Sequence, residues 1–117
     1  MENVFRISML LDFYGQLLTD RQYEILDLYC NNDYSLAEIA ELLKISRQGV
    51  YDNIKRGEAM LCRLEEKLGL VGKFSEQKAR AKEILDMIER IDASKMSGED
   101  RARIEKIRQG IEEILEA

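Results

Sequence analysis

No proline occurs among the 117 residues, where ordinary usage of about 5% would place about six. Proline interrupts a helix more strongly than any other residue, because its ring fixes φ, removes an N–H and clashes with the preceding turn. A chain without it can run in helices from end to end. Charged residues make up 35% of the total, above the usual quarter, which suits helices that keep one face in water. The expected fold class is therefore all-α. At about 150 residues per domain, the length allows one domain, or a small domain with an extension, and excludes a large barrel or a multidomain enzyme.

Apolar spacing supports the same reading. Val4, Ile7, Leu11, Tyr14 and Leu18 recur at steps of three and four, which predicts a first helix over residues 2–18. Thr19 or Asp20 can cap a second helix carrying Ile25, Leu26 and Tyr29, which Asn31, Asn32 and Asp33 should end. Ser35 and Glu38 form an S-x-x-E capping box before Leu36, Ile39, Ala40 and Leu43, a third and short helix. Ser46 caps the longest pattern, in which Val50, Ile54, Gly57, Leu61, Leu64 and Leu68 alternate in steps of four and three. Such a seam buries itself on the earlier helices first and on a partner helix at its far end. Gly57 on that seam is expected to admit another helix closely; the spacing gives no such account of Gly49.

Gly69 and Gly72 bracket an expected linker over residues 70–74. They separate a helical body, residues 1–69, from a helical hairpin over 75–117 with apolar stripes at Ile84, Leu85, Ile88, Ile91 and at Ile104, Ile107, Ile111, Ile114 and Leu115. Ser97 and Asp100 cap the last helix. Two lone amphipathic helices cannot hide both apolar faces, so the hairpin should fold back on the body or dock on another chain.

The composition narrows the chemistry. There is no histidine, the commonest general base and metal ligand, and Cys30 and Cys62 stand too far apart for a CxxC motif. Both cysteines read as small buried hydrophobes. The best carboxylate pair, Glu65 and Glu66, occupies adjacent helical positions that do not share a face, so acid–base work lacks geometry. No enzyme, metal or cofactor is expected. The charged N-terminal segment is unlike a signal peptide, and no apolar run nears the roughly 20 residues of a membrane span. A cytoplasmic, reduced chain is the expectation. The net charge of −5 opposes indiscriminate attraction to phosphates, so any nucleic-acid contact must be a local cluster.

One segment supplies that cluster. Residues 35–56, SLAEIAELLKISRQGVYDNIKR, pair a short capped helix with a second one across a short turn, the pattern of a helix-turn-helix. Ala40 is small where the two helices cross, Ile45 fills the turn, and Val50 and Ile54 anchor the second helix. The residues assigned to nucleic acid are Ser46, Arg47, Gln48, Tyr51, Lys55 and Arg56. Arg suits guanine O6 and N7, Gln suits adenine N6 and N7, and Tyr and Lys suit phosphates. Arg47 and Gln48, in the first turn, are the expected base readers. Asp52 and Glu58 are expected to weaken the positive surface, and Lys44 occupies a turn position where glycine is more usual.

Residues 1–74 resemble the YlxM family of small bacterial proteins, through LLDFYGQLLTDRQYEILDLYCNNDYSLAEIAELLKISRQGVYDNIKRGE and the leucine-rich helix after it; the tail beyond Phe74 matches less clearly. Residues 19–61 are similar to region 4 of sigma factors, which reads promoter DNA. The resemblance implies a DNA-binding regulator, DNA being favoured over RNA. Because family genes neighbour those of the signal recognition particle, it also implies a role in that pathway, the alternative being a protein- or RNA-binding accessory factor that needs no promoter. Gly49 and Gly57 depart from the family pattern. The apolar residues of the tail, beyond what one small body can cover, add the expectation of a homodimer.

Overall fold

The computed structural model describes residues 4–116, and within them every regular element is helical. Six α-helices follow in order: α1 Val4–Tyr14, α2 Asp20–Asn31, α3 Leu36–Leu43, α4 Arg47–Leu68, α5 Leu70–Glu89 and α6 Gly98–Glu116. The chain divides into two units, residues 1–71 and 72–117.

In the first unit α4 is the central element, packed on α1, α2 and α3, while α1 also packs on α2. The core is Ile7, Leu10, Leu11, Tyr14 and Leu18 from the first segment, with Ile25, Leu26, Ile39, Val50, Ile54 and Leu61. The expected first stripe is thus nearly right, but its start is not: Val4 is exposed and Leu10 is buried in its place. Residues 2 and 3 of the expected helix lie outside the described residues. The α-helix also stops at Tyr14, because a tight 3-10 turn over Gly15–Leu17 carries the chain into α2. A Cβ on Gly15 would stand 2.7 Å from the Tyr23 ring, so the ring packs this closely on the turn only because the residue has none.

Three starts follow from local capping. Thr19 accepts the Gln22 N–H while Gln22 accepts the Thr19 N–H, and Ser35 and Glu38 do the same for α3. Ser46 Oγ accepts the Gly49 N–H at 2.9 Å, opening α4. Gly57 faces α2 in keeping with its place on the seam: a Cβ there would meet Leu26 Cδ1 at 2.6 Å.

The expected linker at 70–74 is instead the first turn of α5, which begins one residue after Gly69. Gly69, at φ 62°, ends α4 in the left-handed region, its N–H returning to Glu65 O. Nothing beside it in sequence can cap the new helix. Two side chains do so, one of them far off in sequence: the Leu70 N–H donates to Tyr14 Oη at 3.0 Å, and the Val71 N–H donates to Glu65 Oε1 at 3.0 Å. The Tyr14 hydroxyl in turn donates to Glu65 Oε1 at 2.6 Å. Burial, followed by the Glu65 carboxylate, raises the Tyr14 phenol above its ordinary value.

In the second unit α5 and α6 are joined by residues 90–97. Arg101 ties this loop by donating to Ala93 O and Ser94 O, both at 2.9 Å. Ser97 Oγ accepts the Asp100 N–H at 3.1 Å, so the predicted cap of α6 is present. Hydrogen bonding to Glu105 raises the Arg108 guanidinium above its ordinary value, with smaller help from Glu112 and from Glu89 on α5. Burial is sparse: α5 buries only Ala81 among its described residues and α6 none. Ile84, Met87, Ile91, Ile107 and Ile114 are exposed in the single chain.

Candidate nucleic-acid interface

The turn between α3 and α4 is fixed by its backbone. Lys44 adopts the left-handed conformation, φ 58° and ψ 45°, and its N–H together with that of Ile45 returns to Ala40 O. This satisfies the Ala40 carbonyl in the last turn of α3 and leads the chain into Ser46. Ile39, Val50 and Ile54 are completely buried behind the turn, which holds α3 against α4.

That burial decides which face of α4 remains free. Arg47, Gln48 and Tyr51 are exposed, Lys55 and Asp52 are half-buried, and Arg56 is exposed at the flank. Arg47, Gln48, Tyr51 and Lys55 lie at helical steps of one, three and four, so their side chains share one side of α4. Ser46 is exposed, with its oxygen engaged as the cap of α4. Lys55 Nζ stands 5.6 Å from the Tyr51 ring centroid, a cation–π contact that keeps the phenol and the ammonium together. The six assigned residues therefore come from one helix and its cap.

Three features of this face depart from the sequence reading. Gln48 Nε2 donates to Asp52 Oδ1 at 3.0 Å, so the amide meant for a base edge is held by its neighbour one turn on. Glu58, expected to dilute the positive surface, is only 7% exposed and belongs to the interior. Lys44 adds an exposed basic residue in the turn just before Ser46; its signal was the unusual lysine at a glycine position.

The remaining candidate groups are engaged within the fold. The Glu65 carboxylate is occupied by Tyr14 and the α5 backbone. Both cysteines are half-buried against the core rather than fully enclosed, and Cys62 Sγ accepts from Arg6 Nη1 at 3.6 Å. Burial, followed by Glu58 and Asp27, pushes the Cys30 thiol up to about 11, which leaves it protonated near neutrality. Among the described residues no His, Cys, Asp or Glu group has the arrangement of a metal site, and no helix is long and apolar enough to cross a membrane.

Residues 1–104 match the family described as "Putative helix-turn-helix protein, YlxM / p13 like". The chain belongs to this family. The match runs well past Phe74, beyond which the sequence resemblance is less clear, and takes in α5 and the start of α6. The chain is 66% identical over 117 residues to the UPF0122 protein of Acetivibrio thermocellus, covering 100% of both. It is 50% identical over 108 residues to that of Thermoanaerobacter sp. strain X514, covering 92% of each, and 45% identical over 117 residues to that of Clostridium perfringens strain 13, covering 100% of both. Kinship therefore extends over the tail as well as the helix-turn-helix.

Proposed function

We propose that this YlxM-like chain is a non-enzymatic, cytoplasmic DNA-binding regulator that works as a homodimer and reads the major groove with the first turns of α4. The observation that carries the reading is the exposed set Arg47, Gln48, Tyr51 and Arg56 on a helix that Val50 and Ile54 lock into the core. A reading helix must be rigid behind and polar in front, and α4 is both. Arg47 and Gln48 contact base edges; Lys55, Arg56 and the Ser46 and Tyr51 hydroxyls hold phosphates. Gln48 must exchange Asp52 for an adenine, so the wrong sequence leaves it with its internal partner. Two copies give two heads, which bind half-sites about 34 Å apart.

The net charge of −5 favours a second reading, an accessory factor of the signal recognition particle that binds protein or RNA without promoter DNA. Crosslinking the protein in its native cells and sequencing what is recovered separates the two. Enrichment of duplex DNA sharing a repeated half-site supports the first reading; recovery of the particle's RNA and protein alone contradicts it.

A further inference from the structure

The exposed residues of α5 form a second seam. Lys73, Gln77, Arg80, Ile84 and Met87, with Ile91 just beyond the helix end, follow one another in steps of four, three, four, three and four, and all six are exposed, Met87 by 60%. Such spacing draws a continuous line along one side of a helix, the contact line of a coiled coil. Beside it runs a second line of the same spacing, Phe74, Lys78, Ala81, Leu85 and Ile88, which is buried or half-buried. The first line is thus a complete contact line left in water.

Its chemistry is graded. The N-terminal half carries long polar side chains and the C-terminal half carries apolar ones. Residues 73–82 hold four basic residues against one acidic, and residues 83–92 hold four acidic against one basic. The charges oppose the helix dipole at both ends, since the first turn of α5 has no acidic residue and the last turn no basic one. Within the chain, α6 answers this order at Glu89, which acts on Arg108.

We infer that the exposed seam of α5 pairs antiparallel with α5 of a second copy of the chain. In that arrangement Ile91 meets Lys73, Met87 meets Gln77 and Ile84 meets Arg80, each twice about the two-fold axis. Every exposed apolar residue of the seam then lies on the aliphatic stem of a long polar one whose head reaches water. The basic half of one α5 runs beside the acidic half of the other, placing Arg80 near Glu83 of the second copy and offsetting both ill-placed ends. A parallel pair would stack Lys73 on Lys73 and Arg80 on Arg80. The charge order therefore selects both a second copy as occupant and its direction. The inference rests on the two-headed reading above for its purpose but is tested without nucleic acid, so that its failure leaves groove binding by a single head standing.

The test is sedimentation equilibrium of the full chain. The wild type should be a dimer at micromolar concentration, and Met87→Asp, at an exposed position that leaves the single chain intact, should be a monomer. Arg80→Glu should weaken dimerisation about tenfold or more, because it turns an attractive charge pair, made twice, into a repulsive one. Adding Glu83→Arg to Arg80→Glu should restore most of it, a rescue that also shows the single variant to be folded. A monomeric wild type, a dimeric Met87→Asp, or a double variant no tighter than Arg80→Glu would overturn the inference.

Discussion

Two residues make opposite demands on the backbone. Lys44 occupies a left-handed turn that disfavours a side chain with a Cβ, at φ 58°. Lys44→Gly should therefore raise stability by about 0.5–1 kcal/mol, read from denaturant midpoints, while removing a basic residue just before α4. Gly57 is the reverse case, because a Cβ would meet Leu26 Cδ1 at 2.6 Å. Gly57→Ala should cost about 1–3 kcal/mol despite its better helix propensity, since the fully buried Leu26 side chain must be displaced. At Cys30 the thiol is held up to about 11, so alkylation near pH 7 should run about a hundredfold slower than for a free thiol, as its thiolate is that much scarcer. Fast labelling of Cys30 would place it in water.

Among the elements, what is local in sequence was legible and what is distant was not. The boxes Thr19–Gln22 and Ser35–Glu38 lie within four residues, so a reader of the chain finds both helix starts. The start of α5 was hidden, because the Leu70 N–H is capped by Tyr14, 56 residues away, and the glycine-bracketed stretch looked like a linker. Tyr14→Phe should lower the melting midpoint by a few degrees and speed amide exchange at Leu70, leaving exchange in α3 unchanged. In α3 the Ser35 N–H, then its hydroxyl, hold the Glu38 carboxyl below its ordinary value. A depressed carboxylate contributes stability above its unfolded-state pKa and loses it as pH falls through the folded one. The capping box should therefore weaken below the ordinary glutamate range. Glu38→Gln, which keeps the geometry as Gln22 does in α2, should remove that acid sensitivity, as urea midpoints against pH will show. On α4 the outward residues could be read from spacing alone, whereas the Gln48–Asp52 bond and the burial of Glu58 depend on rotamers and packing that spacing does not encode.

At the scale of the whole molecule, a net-acidic chain must hold a phosphate-bearing partner through a few local contacts. The partition of roles on α4 makes this testable in one experiment: fluorescence anisotropy of the protein on its selected duplex and on a random duplex, over a range of salt. Gln48→Ala or Arg47→Ala should cost about 1–3 kcal/mol on the selected duplex and leave the random one nearly unchanged, because base edges carry the discrimination. Lys55→Ala or Arg56→Ala should weaken both duplexes alike and flatten the slope of log affinity against log salt by about 0.9 for each phosphate no longer neutralised. If all four variants bind every duplex as the wild type does, α4 does not read DNA and the central claim fails.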